Sequence, residues 1–447
     1  MRPKMRAASL AAGALCIALS ASACAGAGGS GTGDPNSISV LMVNNPQMED
    51  LQKLTADNFT RETGIKVNYT VLPENDVRAK ISQEFSSQAG QYDVASLSNY
   101  EIPFFAANKW LAPLDSVAKD PEFNQADILP AYTASLTGTD GKLYGEPFYG
   151  ESSFLMYRKD ILDAKGLTMP EKPTWDQVAD IAAKADGAAP GMKGICLRGQ
   201  PGWGQVFAPL TTVVNTFGGT WYDKDWNAKV NAPEFTEAAE FYTKLVREHG
   251  EPGAAQAGFT ECLNNMSQGK VAMWYDATSA AGALEADASP VKGKIGYAQA
   301  PVKKTASSGW LWTWSWAMQA ASKKQDAAGK FIAWASSKEY EELVAAKLGW
   351  AKVPSGKRIS TYENAEFQKA APFFKAERFA IENADPKNPG AQPRPAVGIQ
   401  FVGIPEFAAL GTSVSQGISS AIAGQGTVAD ALAKGQQAAE KVGNKYK

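Results

Sequence analysis

Trp310, Trp312, Trp314 and Trp316 alternate with other residues in the run Gly309-Trp-Leu-Trp-Thr-Trp-Ser-Trp-Ala-Met318. An indole has a broad apolar face and one N–H donor, so it can cover the C–H surface of a sugar or polyol and still donate to a hydroxyl. On a β-strand all four rings would point to one face. Apolar bodies usually go inside, and a buried core would account for some of these rings. Four in register exceed ordinary core needs, so at least one is expected to meet a ligand.

Three further clusters combine aromatic and polar residues in loop-like settings: Phe148-Tyr149-Gly150-Glu151-Ser152, Arg198-Gly199-Gln200-Pro201-Gly202-Trp203-Gly204, and Met273-Trp274-Tyr275-Asp276-Ala277-Thr278. A carboxylate accepts two hydroxyl hydrogen bonds and an arginine fork donates two, and a charged partner roughly doubles the strength of each. Aromatic faces between such groups are what an uncharged polyhydroxyl ligand requires. Each residue also has a structural reading: a hinge or capping carboxylate for Glu151 and Asp276, an ion pair for Arg198, core packing for Trp203. A competing chemistry is that of an exported glycoside hydrolase with Glu151 and Asp276 as its two carboxylates, which need to stand about 5–10 Å apart. The single histidine, His249, argues against a zinc enzyme or a serine–histidine–aspartate hydrolase, as does a cysteine spacing that matches no metal site. His249 reads as a capping or surface residue at a helix end.

These clusters need a scaffold. The chain has 447 residues, too many for one compact core, so two or more lobes are expected. Its 44 basic and 46 acidic residues leave a net charge of -2 with no basic patch, which excludes a nucleic-acid footprint. Ile38 to Val43 reads as a strand, followed by a helix with Met48, Leu51, Leu54 and Phe59 on one side and a stop at Gly64. Ile65 to Val71 alternates as a second strand, a helix carries Val77, Ile81 and Phe85, and Tyr92 to Leu97 forms a third strand. That order predicts a parallel sheet with helices on both faces. Ligands of such sheets sit beyond the carboxyl ends of the strands, which puts Asn44-Asn45 and Ser98-Asn99-Tyr100 at the edge of a site. Residues 142–157 read as a crossing into a second lobe and Ile295 to Pro301 as a return. Helices are expected over Thr174 to Lys184, Phe235 to Glu248 and Thr427 to Lys441.

The N-terminus is a secretory signal: a start charged by Arg2, Lys4 and Arg6, then a small apolar stretch from Ala7 to Ala23. Ala21-Ser22-Ala23 fits ordinary cleavage, while small residues directly before Cys24 resemble a lipobox, with Cys24 as the lipidated first residue. Gly29-Ser-Gly-Thr-Gly33 would make a flexible tether. Beyond the signal no segment is long and apolar enough to span a membrane. Cys196 and Cys262 remain in the folded part of an exported chain, so a disulfide between them is inferred, with two buried thiols as the alternative.

The lipobox-like start, the Asn44-Asn45 loop, Lys142-Leu-Tyr-Gly145, Arg198 to Gly204, Glu261-Cys-Leu263, Trp274-Tyr-Asp-Ala-Thr278, Gly309 to Trp314, Gly349-Trp350 and Gln400-Phe-Val-Gly-Ile-Pro-Glu-Phe407 together resemble the family 1 extracellular solute-binding proteins of ABC importers, most closely the sorbitol/mannitol branch. The resemblance covers nearly the whole mature chain. It implies an α/β, two-lobe, type II periplasmic-binding-protein-like fold, each lobe a mostly parallel sheet flanked by helices, closing on a ligand in the cleft. The expected division is signal peptide 1–23, anchor and linker 24–36, first lobe 37–146, second lobe 147–298, return to the first lobe 299–340, and mainly second lobe 341–447. Asn44, Asn45, Tyr100, Tyr149, Glu151, Arg198, Trp203, Trp274, Asp276, Trp310 and Trp312 are the expected ligand contacts. The expected ligand is a small neutral polyol, or alternatively a mono- or oligosaccharide. The expected partner is an ABC permease. The protein is expected to be a monomer without metal or cofactor, held to the outer face of the cytoplasmic membrane by lipidated Cys24. Cys24→Ser is expected to release the protein into the soluble fraction; unchanged localisation together with a lipid-free mature N-terminus would refute the anchor.

Overall fold

A computed structural model describes residue 34 and residues 36–447. The signal sequence, Cys24 and nearly all of the expected linker lie outside the described residues. Among the described residues ten strands form two sheets. The first holds β1 (Ser37–Val43), β2 (Lys66–Leu72), β3 (Val94–Ser98), β4 (Leu111–Ala112), β5 (Glu146–Glu151) and β10 (Trp312–Gln319). The second holds β6 (Ser153–Arg158), β7 (Lys193–Cys196), β8 (Val271–Ala277) and β9 (Ile295–Gln299).

The first three strands pair in parallel, as the alternating strand–helix pattern predicts. The expectation of mostly parallel sheets holds for strand direction, with one reversed strand in each sheet, β10 in the first and β6 in the second. β10 runs antiparallel to β3, β4 and β5, and β6 runs antiparallel to β8 and β9; β7 and β8 are parallel. The cause is the crossing itself. β1, β3 and β5 end where the sheets meet, so a chain arriving from the other sheet enters at that end and must run back. β6 enters this way after β5, and β10 enters this way after β9. β5 is hydrogen-bonded to β10 through Glu151, so the first crossing falls at Ser152 rather than after residue 146.

Local sequence signals fix the ends of the helices. Asn45 caps the helix Pro46–Thr55 by accepting from Met48 N at 3.0 Å. The chain continues through a π-turn at Ala56–Thr60 and stops at Gly64, whose φ of 72° is left-handed. Thr174 and Gln177 form a reciprocal capping box on the helix Trp175–Ala185.

Cys196 and Cys262 form a disulfide with Cα atoms 5.6 Å apart, which ties the end of β7 to the helix Phe259–Ser267. Among the described residues the single grouping of potential metal ligands is Cys196, Glu251 and Cys262, and its two sulfurs are consumed by that bridge. No helix among the described residues is long and apolar enough to cross a membrane.

Candidate functional site

Where the two sheets meet, the ends of β1, β5 and β8, the loop after β2 and the start of β10 surround a cavity of about 330 Å³, completed by residues 198–205 and 259–261 of the second-sheet side. Of the residues singled out from sequence, Asn44, Asn45, Tyr149, Glu151, Arg198, Trp310 and Trp312 line it. Tyr100, Trp203, Trp274 and Asp276 do not.

Arg198 organises the second-sheet wall. Its Nε and Nη2 donate to Asp276 Oδ2 and Oδ1 at 2.8 and 2.6 Å, and Nη1 donates to Gly204 O at 3.0 Å. Asp276 is fully buried and also accepts from Trp274 Nε1 at 3.1 Å and from Ala277 N at 2.7 Å. Burial opposes the guanidinium charge, but the facing carboxylates, Asp276 first and then Glu74 and Glu151, outweigh it and hold Arg198 charged. Phe259 lies under the guanidinium at 5.4 Å.

The first-sheet wall answers with Glu74 and Arg78, one turn apart on the helix Glu74–Ser87 that follows β2. Glu74 Oε1 pairs with Arg78 Nη2 at 2.9 Å, while its Oε2 lies 3.7 Å from Arg198 Nη1 and accepts from Gln205 Nε2 at 3.3 Å. Arg78 Nη1 reaches Glu101 Oε2 at 3.3 Å. Asp276, Arg198, Glu74, Arg78 and Glu101 therefore alternate in sign from one sheet to the other. Two neutral bridges join the same sides: Asn75 Nδ2 donates to Pro201 O at 3.0 Å and Gln47 Nε2 to Ser279 O at 2.8 Å.

Besides Arg198, three lining groups bear on a ligand: Glu151, Tyr149 and Trp310. Burial pushes the Glu151 carboxyl up to about 8, against the opposing pull of Ser279 Oγ at 2.5 Å and of Arg198, so at neutral pH it carries a proton to donate. Tyr149 Oη accepts from Asn45 Nδ2 at 2.8 Å, which leaves its own O–H to donate. Trp310 is 1% exposed and its Nε1 has no hydrogen-bond partner.

The tryptophan run does not share one environment. Trp312 and Trp314 line the cavity beneath Arg78, whose Cζ lies 5.1 and 4.6 Å from their ring centres. Trp316 packs into core against Phe148 and Phe331, and Trp310 precedes the strand. Trp203 and Tyr100 belong to an aromatic cluster with Phe401, and Tyr100 Oη donates to Ile404 O at 2.8 Å.

Sequence reasoning missed Glu74, Arg78, Gln205 and Phe259. A signal for the first two was present. The rule that ligands sit beyond strand carboxyl ends drew attention to the loops after β1 and β3, and it applies equally to Pro73-Glu74 after β2. Gln205 is the residue next to the Arg198–Gly204 cluster.

Two mixed α/β sheets with a polar and aromatic cavity between them define a ligand-binding cleft. Residues 44–342 match the bacterial extracellular solute-binding protein model. The chain is 38% identical over 404 residues to the mannitol-binding protein of Pseudomonas aeruginosa, covering 90% of this chain and 92% of that one. It superposes with a TM-score of 0.89 on an ABC transporter solute-binding protein of Agrobacterium vitis S4 solved with bound D-mannitol, at 44% identity, covering 92% of this chain and 99% of that one. The fold is also shared with a solute-binding protein of Agrobacterium radiobacter K84 solved with ribitol, with a TM-score of 0.80, 24% identity and coverage of 91% and 98%. The chain belongs to the bacterial extracellular solute-binding protein family. This is a family of binding proteins, so the hydrolase reading of Glu151 and Asp276 is overturned.

Asp276 was expected to grip ligand hydroxyls directly; its oxygens are instead taken by Arg198, Trp274 and Ala277. It acts through Arg198. Removing it strands a buried guanidinium, a loss of about 3–5 kcal/mol. Asp276→Ala is therefore expected to lower the melting temperature markedly as well as ligand affinity. A variant that binds weakly at unchanged stability would contradict this placement.

Proposed function

We propose that the protein captures a neutral alditol of the mannitol or sorbitol kind by closure of two lobes and delivers it to the permease of an ABC importer. The observation that carries this is a cavity built jointly by both sheets, with indole faces, buried donors and arginines already paired to carboxylates. Both lining arginines, Arg78 and Arg198, face acidic partners, so the site holds no uncommitted cation for a phosphate or carboxylate ligand. Neutral hydroxyls fit. The mannitol-binding relative and the mannitol-bound neighbour support the same ligand class.

The lobes are the two sheets with their helices: residues 37–151 with the return at β10 on one side, residues 153–299 with most of 341–447 on the other, and Ser152 at the first crossing. Ligand favours the closed state because it touches both lobes only there. A linear alditol loses more torsional freedom on binding than a pyranose, which calls for several directional hydrogen bonds in addition to stacking. Glu151, Tyr149, Trp310 and Arg198 are the groups assigned to that task, with Trp312 and Trp314 as the apolar wall. The mature protein acts as a monomer tethered through acylated Cys24.

Mannitol, sorbitol, xylitol and arabitol, with a disaccharide as comparison, should be screened by thermal shift. At a concentration 100 times its dissociation constant, a true ligand adds about 2.7 kcal/mol of stability. Stabilisation by the alditols is expected. If all four fail and the disaccharide stabilises, the alditol assignment falls while the solute-binding class stands.

A further inference from the structure

A second cavity of about 650 Å³ adjoins the first. Asn75 and Arg78 line both. Like the first, it is walled from both sheets' sides, by Tyr100 and Phe104 on one and by Trp203, Pro405 and Ala408 on the other. The first cavity alone sits at the small end of the roughly 300–1,000 Å³ range of ligand pockets, and the two joined would reach its upper end.

Between them stands Arg78, which lines both cavities, backed by Trp203, which lines the second. The Arg78 guanidinium, 5% exposed, is held edge-on by Glu74 and Glu101. It lies 4.3 Å from the Trp203 ring centre, against 4.6 and 5.1 Å for Trp314 and Trp312 on the first-cavity side. The Trp203 ring stands between Trp312, at 6.4 Å on the side of the first cavity, and Tyr100, at 4.8 Å in the second. Its backbone leaves it no choice of position. Gly202 has φ of 139° and donates its N–H to Ser415 Oγ at 2.8 Å. A Cβ on Gly204 would lie 2.8 Å from Glu74 Oε1 and 3.0 Å from Arg78 Nε. The Gly-Trp-Gly sequence thus presses the loop against the Glu74–Arg78 pair and pins the indole at the boundary.

We propose that Trp203 is the positioning residue that sets ligand length: packed on Arg78, it holds the guanidinium across the boundary between the alditol cavity and an adjoining aromatic-walled cavity of the size and chemistry to take a further sugar ring, and so restricts the protein to single alditols. This rests on the alditol reading above. The aromatic faces of the second cavity and the hydroxyls of Ser82 and Thr412 on its wall are suited to the C–H faces and hydroxyls of a pyranose.

The test is calorimetry of wild type, Trp203→Ala and Trp203→Phe with mannitol and with a glucosyl-alditol such as maltitol, alongside melting curves. Wild type is expected to bind mannitol and to reject maltitol. Trp203→Ala is expected to gain maltitol affinity by roughly tenfold or more, the scale on which a pocket wall discriminates, while mannitol binding weakens. Trp203→Phe is expected to gain less in the same direction. The proposal is overturned if wild type already binds maltitol as tightly as mannitol, or if folded variants still reject it. It is equally overturned if neither variant folds, since Trp203 would then be a core residue. Failure of wild type to bind any alditol is a separate outcome that removes the alditol reading itself.

Discussion

A charge can be buried only beside its opposite, and that constraint governs the cleft. Arg198 is 5% exposed and Asp276 is 0% exposed, so the fork between them must form or the second-sheet wall cannot be built. The same requirement propagates across the gap. Glu74 faces Arg198 on one side and Arg78 on the other, and Arg78 continues to Glu101. Within each wall the pairs are complete, and the contact of Glu74 with Arg198 links the two series across the gap. The cavity that results has both its arginines committed to carboxylates, which favours neutral hydroxyls over anions. The energy of the ion pairs themselves contributes less than their geometry, because desolvation offsets most of the attraction.

The disulfide serves the same end. By tying the end of β7 to the helix Phe259–Ser267 it holds Arg198, two residues past Cys196, close to Phe259 and Glu261. Two chain segments far apart in sequence thereby become one wall. The first-sheet wall needs no such bridge, since its groups come from the helix directly after β2 and from strand ends fixed by the ladder.

Much of this was legible in the sequence. The strand–helix alternation up to β3, the helix stops and the capping box at Thr174 are local signals, and they appear where periodicity and capping chemistry put them. Asn45 was identifiable because it follows a strand's carboxyl end, and Tyr149, Glu151 and Arg198 because aromatic, glycine and charged residues cluster around them. What the sequence could not carry was depth. Asp276 and Arg198 look equally suited to a ligand on paper, and only the packing decides that one faces the cavity and the other stands behind it. The tryptophan run has the same ambiguity. Period-two alternation marks a common face, but Trp312 and Trp314 meet the cleft while Trp316 meets Phe331, because the strand extends from the cleft into the lobe interior. The antiparallel pairing of β10 likewise follows from a crossing, a non-local event that leaves no periodic trace.

The central claim is that ligand and closure are one event, with the walls meeting around a bound alditol. Small-angle X-ray scattering of the purified mature chain, titrated with mannitol, tests this most directly. The radius of gyration is predicted to fall on addition of mannitol, with a midpoint that coincides with the calorimetric binding midpoint. Stoichiometric binding of mannitol with an unchanged radius of gyration would contradict it.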